Sequence, residues 1–262
     1  MKTNLNITKM KRTLFSFILL FFIQTISINA QDDPFNIPKK ERLYDFTQLK
    51  VYSGIFVNLI PSDENKAIIY GDRYGGILLK QKGNTLKLRM RIGELFNYRN
   101  AYVDLYYKSP LQVLKLHQGA VIQTEAPLTQ SKFLLKAHEG SQFEGTIKTE
   151  YLVTKVRTGA MVFLSGETDE HILKVSTGGI CEAQNLKSNR TQVRVFAGGE
   201  VGIFSDTQVQ AHVSMGGSIG ILGKPKSVIA TRTIVGEIYN QNRNTNRSYP
   251  KRNSRRNFNR FN

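Results

Sequence analysis

From residue 44 onward, apolar residues alternate with polar or small ones over short runs, the period of a strand with one buried face. Phe46, Leu49, Val51, Ile55, Val57 and Leu59 open this pattern, and Pro61-Ser62-Asp63-Glu64-Asn65 supplies a turn. Residues 67–70, 77–80, 86–91 and 101–107 read as further strands, with Lys82-Gly83-Asn84 turning the chain between the second and third. Nothing in this half repeats at 3.6 residues, so no amphipathic helix is predicted.

The second half carries a repeat. Glycines fall at Gly119, Gly140, Gly159, Gly178, Gly198 and Gly216, and each is followed by a small residue: Ala120, Ser141, Ala160, Gly179, Gly199 and Gly217. Three positions before each glycine stand Leu116, Ala137, Val156, Val175, Val195 and Val213. Five before stand Leu114, Leu135, Thr154, Leu173, Val193 and Ala211, and three after stand Ile122, Phe143, Val162, Cys181, Val201 and Ile219. All these columns share the parity of one strand face. A period of this length means one coil of a solenoid per repeat, with stacked coils pairing every backbone and aligning like positions into a continuous core. The predicted fold is all-β: a right-handed single-stranded β-helix of about 19–20 residues per coil. The region from 44 to 110 is less regular and caps or begins it. A seventh copy around Gly236 is frayed, as a terminal coil with one neighbour should be.

The ends read differently. Lys2, Lys9, Lys11 and Arg12 precede an apolar run from Leu14 to Ile23, and Ala30 suits cleavage before Gln31. That is the pattern of a signal peptide over residues 1–30, too short to span a bilayer. A polar leader (31–43), the solenoid domain (44–238) and an Asn- and Arg-rich tail (239–262), expected to be disordered, complete the division. The expected location is exported: periplasm, outer surface or secreted.

The net charge of +17 is misleading as a whole. Of 37 basic residues, four lie in the signal and seven in the tail, leaving 26 against 20 acids in the body. A mildly basic exported body does not indicate a nucleic-acid reader; attraction to an anionic polysaccharide or another cell-surface component fits better. One cysteine, Cys181, rules out an intrachain disulfide.

Candidate chemistry is sparse. His117 and His138 should stack on neighbouring coils, but Arg157 continues their column and a third ligand is missing, so no metal is expected. His171 follows Asp169-Glu170 and reads as a surface turn residue, whereas Cys181 falls in an inward column and reads as core. Solenoid hydrolases and lyases need clustered carboxylates, and the acids here are scattered, with no column carrying a carboxylate pair. The residues expected to bind are Tyr102 and Tyr106 with Arg91 and Arg99, aromatics beside arginine being suited to sugar rings or acidic groups. No cofactor is expected, and the chain reads as no enzyme. The alternatives are a polysaccharide-active enzyme and a structural protein that assembles end to end.

The opening Phe46-Thr47-Gln48-Leu49-Lys50-Val51-Tyr52-Ser53-Gly54-Ile55-Phe56-Val57-Asn58-Leu59, with the Gly-small steps from Gly119 to Gly236, resembles the auto-transporter adhesin head GIN domain family (DUF2807). The resemblance covers residues 44–238 and implies an exported bacterial β-solenoid with an adhesin-like role. It implies no ligand.

Overall fold

The structure is a computed structural model that describes residues 38–71, 74–94, 101–240 and 242. The expected signal, Arg99 and nearly all of the basic tail lie outside the described residues.

The chain is a stack of parallel coils built around one recurring corner. At each corner two successive residues have positive φ: Gln118 and Gly119 (55° and 71°), Glu139 and Gly140 (58° and 69°), Thr158 and Gly159 (53° and 68°). The Ala120 amide donates to the His117 carbonyl at 3.2 Å, and Ser141 and Ala160 repeat this bond to His138 and Arg157. This is the type I′ arrangement, which needs φ above zero at both central positions and therefore favours glycine at the second. A ladder also runs from corner to corner: the amides of Gly119, Gly140 and Gly159 donate to the carbonyls of Glu139, Thr158 and Thr177 at 2.9–3.1 Å. These bonds offset the roughly 1–2 kcal/mol that a non-glycine residue costs in the left-handed region.

The N-terminal strands are β1 (Lys39–Arg42), β2 (Gln48–Val51), β3 (Phe56–Pro61), β4 (Lys66–Tyr70), β5 (Ile77–Lys82), β6 (Thr85–Met90) and β7 (Tyr102–Tyr107). β8 (Val113–Leu116), β9 (Val121–Thr124), β10 (Leu128–Thr129) and β11 (Lys132–Ala137) follow. Three long strands then each run nearly a full coil: β12 (Gln142–Arg157), β13 (Met161–Ser176) and β14 (Ile180–Phe196). The last coils are β15 (Gly199–Phe204), β16 (Gln208–Ser214), β17 (Gly217–Leu222), β18 (Ser227–Thr233) and β19 (Glu237–Asn240). We call the strand that enters a corner the approach arm and the strand that leaves it the departure arm.

The first coil is β2–β3, with its corner at Ser53-Gly54, and it pairs directly with β8 and β9. On its other side β6 and β7 stack in parallel on β2 and β3. The chain thus makes one coil, leaves it to build a cap, and returns to make the second. β4 closes the cap antiparallel to β7, β1 pairs antiparallel with β4, and β5 pairs antiparallel with β6. β1 lies within the segment expected to be a polar leader. Its Lys-Lys-Glu-Arg sequence suits an edge strand, since pairing uses only the backbone while charged side chains discourage a further partner.

The inward columns are buried as expected. Leu114, Leu135, Leu173, Val193, Ile122, Phe143, Val162 and Ile219 are all sealed from solvent, and Cys181 lies among them. Burial raises the Cys181 thiol pKa well above its ordinary value, so it stays a neutral thiol. Irregular spacing is absorbed away from the corners. β8 and β9 pair with the following coil at a shift of 21 residues, whereas β10 pairs at 19, so the surplus falls between residues 124 and 128. The 20-residue interval places a register shift in the β13–β14 pair between Phe163 and Ser165. In both coils the irregularity falls at the end of the departure arm.

His171 corrects the sequence reading. It is 1 % exposed, in the column of Phe133, Leu152, Thr191 and Val209, and its Nε2 lies 3.0 Å from the Thr154 hydroxyl on the preceding coil. Its position seven before Gly178 has inward parity, which outweighs its acidic neighbours. Burial pushes its pKa down to about 3, so it is neutral at ordinary pH.

Candidate functional site

Tyr102 and Tyr106 point outward from β7, four residues apart on one strand face with Asp104 between them. Tyr102 stacks on Tyr70 (ring centroids 5.5 Å apart, planes 18° apart) and lies tilted against Phe56 at 5.4 Å. Lys66 Nζ stands 4.6 Å from the Tyr106 ring centre. The Tyr70 hydroxyl donates to Asp104 Oδ1 at 3.2 Å, and burial, then Asp104, raises its pKa above the ordinary phenol value. These rings form one aromatic surface at the cap, and among the described residues Lys66 is the cation set against one of them. Arg91 is exposed just past β6, held by its amide to the Gly76 carbonyl at 2.8 Å. Arg99 lies outside the described residues.

The histidine column is an outward one. His117 stacks on Tyr52 with ring centroids 5.0 Å apart and planes 8° apart, and His138 follows at 5.1 Å. His117 Nδ1 is 3.9 Å from Glu139 Oε2. Burial, followed for His138 by the neighbouring His117 and Arg157, holds both pKa values below the ordinary imidazole value. Among the described residues no group of three or more His, Cys, Asp or Glu could hold a metal ion. The column is a stack of neutral rings.

Two open grooves follow the outer surface. One of about 420 Å³ runs along the departure arms beside Gln123, Glu144, Phe163, Glu182, Gln184 and Asn185. Glu144 and Glu182 share its central column, two coils apart with Phe163 between them. The scattered acids thus include two on one column, separated by an aromatic ring. Burial raises the Glu182 pKa. The other groove, about 630 Å³, lies at the bends that lead into the approach arms, beside Gln130, Lys148, Glu167, Asp169, Lys187 and Asn189. Some of its charges are matched within it: Lys148 meets Glu167 at 2.9 Å, and Asn189 donates to Asp169 at 2.9 Å.

The sequence profile of a family described as "putative auto-transporter adhesin, head GIN domain" (DUF2807) matches residues 45–225. This chain belongs to that family. Solved structures share the fold. A protein of Bacteroides fragilis called a putative adhesin superposes with a TM-score of 0.70 at 19 % identity, over 78 % of this chain and 96 % of its own. One of Parabacteroides distasonis called a putative lipid binding protein gives 0.62 at 13 % identity, over 79 % and 98 %. A putative adhesin of Parabacteroides merdae gives 0.57 at 14 %, over 79 % and 97 %. No curated protein matches the chain in sequence. At these identities the superpositions establish the architecture of the head GIN domain and leave the ligand open.

Proposed function

We propose that this head GIN protein is exported and acts as a non-catalytic binding scaffold of the cell envelope. Its partner is an anionic polysaccharide or another cell-surface component. The observation that carries this reading is the outer surface itself: parallel coils set like side chains in straight columns beside shallow open grooves, a shape suited to an extended partner. The adhesin family and the signal pattern of residues 1–30 support it. Tyr102 and Tyr106 are the proposed aromatic contact for sugar rings at the cap. The test is a glycan-array screen of the exported protein, with and without the tail. Binding to a defined set of polysaccharides is expected, and binding to none overturns the reading. N-terminal sequencing of the exported chain should begin at Gln31; an intact Met1 in the membrane fraction overturns the cleavage.

A second reading, end-to-end assembly, has one observation in its favour. The last coil exposes Val228, Ile229, Ile234 and Val235, and among the described residues no strand pairs with the far edge of β18 or β19. Sedimentation of the full chain tests it: concentration-dependent oligomers support it, and a monomer at all concentrations removes it.

A further inference from the structure

The outer column four residues before each corner glycine from Gly54 to Gly198 carries a single chemistry, and His212 ends it before Gly216. Lys50, Lys115, Lys136, Lys155 and Lys174 are register partners on successive coils. Lys87 continues the row into the cap, opposite Lys50, and Lys80 follows it across the β5–β6 pair. Arg194 extends the row at the other end. Seven strand spacings of about 4.8 Å place these cations along a line of about 34 Å.

Among the described residues no carboxylate forms an ion pair with them, and Lys87 Nζ rests 4.5 Å from the Tyr52 ring centre. The ion pairs of lysine and arginine among these residues lie elsewhere, at Lys39–Glu41, Lys66–Glu64, Lys148–Glu167 and Arg190–Glu170. Like charges directly opposite across strands oppose sheet formation. Lys115 shows the strain: burial first, then Lys136 and Lys50, hold its pKa below the ordinary ammonium value. Outward positions accept almost any polar residue, so stacking alone gives no reason for one sign of charge from Lys50 through Arg194.

The flanks complete a binding surface. On one side, two residues before Lys115, Lys136, Lys155 and Lys174, the residues Val113, Leu134, Val153 and Ile172 form a half-buried apolar stripe. On the other, two residues after, are the rings of Tyr52, His117 and His138. Cations between apolar and aromatic edges suit a ring that has both an acidic group and hydrophobic C–H faces.

We infer that this row binds a linear acidic polysaccharide laid along the solenoid axis, with the anionic groups on the facing side of the chain meeting lysines of the row. The inference deepens the binding reading above and rests on it. An extended 1→4-linked uronate chain keeps a straight axis while its carboxylates turn about it, so those on the side facing the protein meet the row at intervals along its length. Duplex DNA spaces phosphates by about 3.4 Å per strand and winds away from a straight line. A membrane surface would reward a broad basic patch over a single file.

The test measures binding of the full chain to polygalacturonate by calorimetry at low salt. Uncharged dextran, duplex DNA and phosphatidylglycerol vesicles serve as comparisons. The variant Lys115→Glu/Lys136→Glu/Lys155→Glu changes the row. Lys148→Glu/Lys187→Glu/Lys224→Glu changes the net charge equally at other sites. The Lys→Gln version of the row triple, with thermal melts of all variants, guards against misfolding. Wild type should bind polygalacturonate in preference to the other three. The row triple should weaken this roughly a hundredfold, while the control triple changes it little. Equal weakening by both triples, or preference for DNA or vesicles, overturns the row as a polysaccharide site. Binding to dextran alone would overturn the acidic ligand and leave the scaffold reading intact. If polygalacturonate and dextran both fail and the glycan array is also empty, the inference and the scaffold reading fall together.

Discussion

The approach and departure arms meet at every corner, pair with their neighbours in the same parallel register, and bury the same kinds of side chain. Leu135 and Val175 on one arm are as sealed as Phe143 and Val162 on the other. Outside, the arms diverge. Four residues before the corner stands Lys or Arg from Gly54 to Gly198, whereas the five residues after each of these glycines contain no Lys or Arg. Glu144, Glu182 and Glu200 lie on that second arm instead. Stacking geometry dictates the inside of each coil, and it is indifferent to the charge outside. A consistent difference between two outsides with one inside therefore reports on what the protein meets, not on how it folds.

If the insides are equivalent, truncation should cost both arms heavily. Phe143→Ala on the departure arm is expected to lose about 3–5 kcal/mol and Leu135→Ala on the approach arm about 2–5 kcal/mol, read by chemical denaturation. Tolerance of either one would break the equivalence.

The next effect is smaller and concerns the polar member of the approach-arm core. His171 is neutral when folded and titrates near pH 6.5 when unfolded, so only the unfolded chain gains a proton as the solution is acidified. Its contribution is intact above about pH 6.5 and is lost as pH falls from there toward 3, costing about 2 kcal/mol by pH 5. His171→Leu should flatten that slope in pH-dependent melting, and an unchanged slope would place the protonation elsewhere.

The corner that joins the arms offers a gain. Thr158 holds φ at 53°, an uncomfortable value for a β-branched residue. Thr158→Asn should stabilise by about 1 kcal/mol, since asparagine adopts that conformation more readily; destabilisation would show that the threonine has a compensating role.

Smallest is the direct cost of the basic row. Lys136→Gln should raise stability by a few tenths of a kcal/mol at low salt and by nothing measurable at high salt. Glu144→Gln, on the arm without facing like charges, should show no such salt dependence.

Much of this was legible in the residues. The four inward columns follow from the glycine spacing, and Cys181 was placed in the core by its column alone. Gly54 was harder to align, because the cap is inserted between its coil and the next and hides the interval. His171 was misplaced because its acidic neighbours were weighed above its parity. The lysine row lay open in the repeat from Lys115 to Arg194, but charge divided along the chain conceals what charge divided by strand face reveals. Lys50 and Lys87 join the row only through the return of the chain into its cap, which no local pattern encodes. Of the tyrosine–arginine cluster, Arg91 follows β6 and Tyr102 and Tyr106 lie on β7, while Arg99 lies outside the described residues.

The most direct test of the difference between the arms is lysine footprinting. The full chain is acetylated with and without polygalacturonate, and the modification of each lysine is read by mass spectrometry. Bound polysaccharide should slow labelling of Lys115, Lys136, Lys155 and Lys174 several-fold while leaving Lys148 and Lys187, at the bends, unchanged. Uniform slowing of all lysines, or protection of Lys148 and Lys187 with the row still reactive, would contradict a binding face on the approach arms.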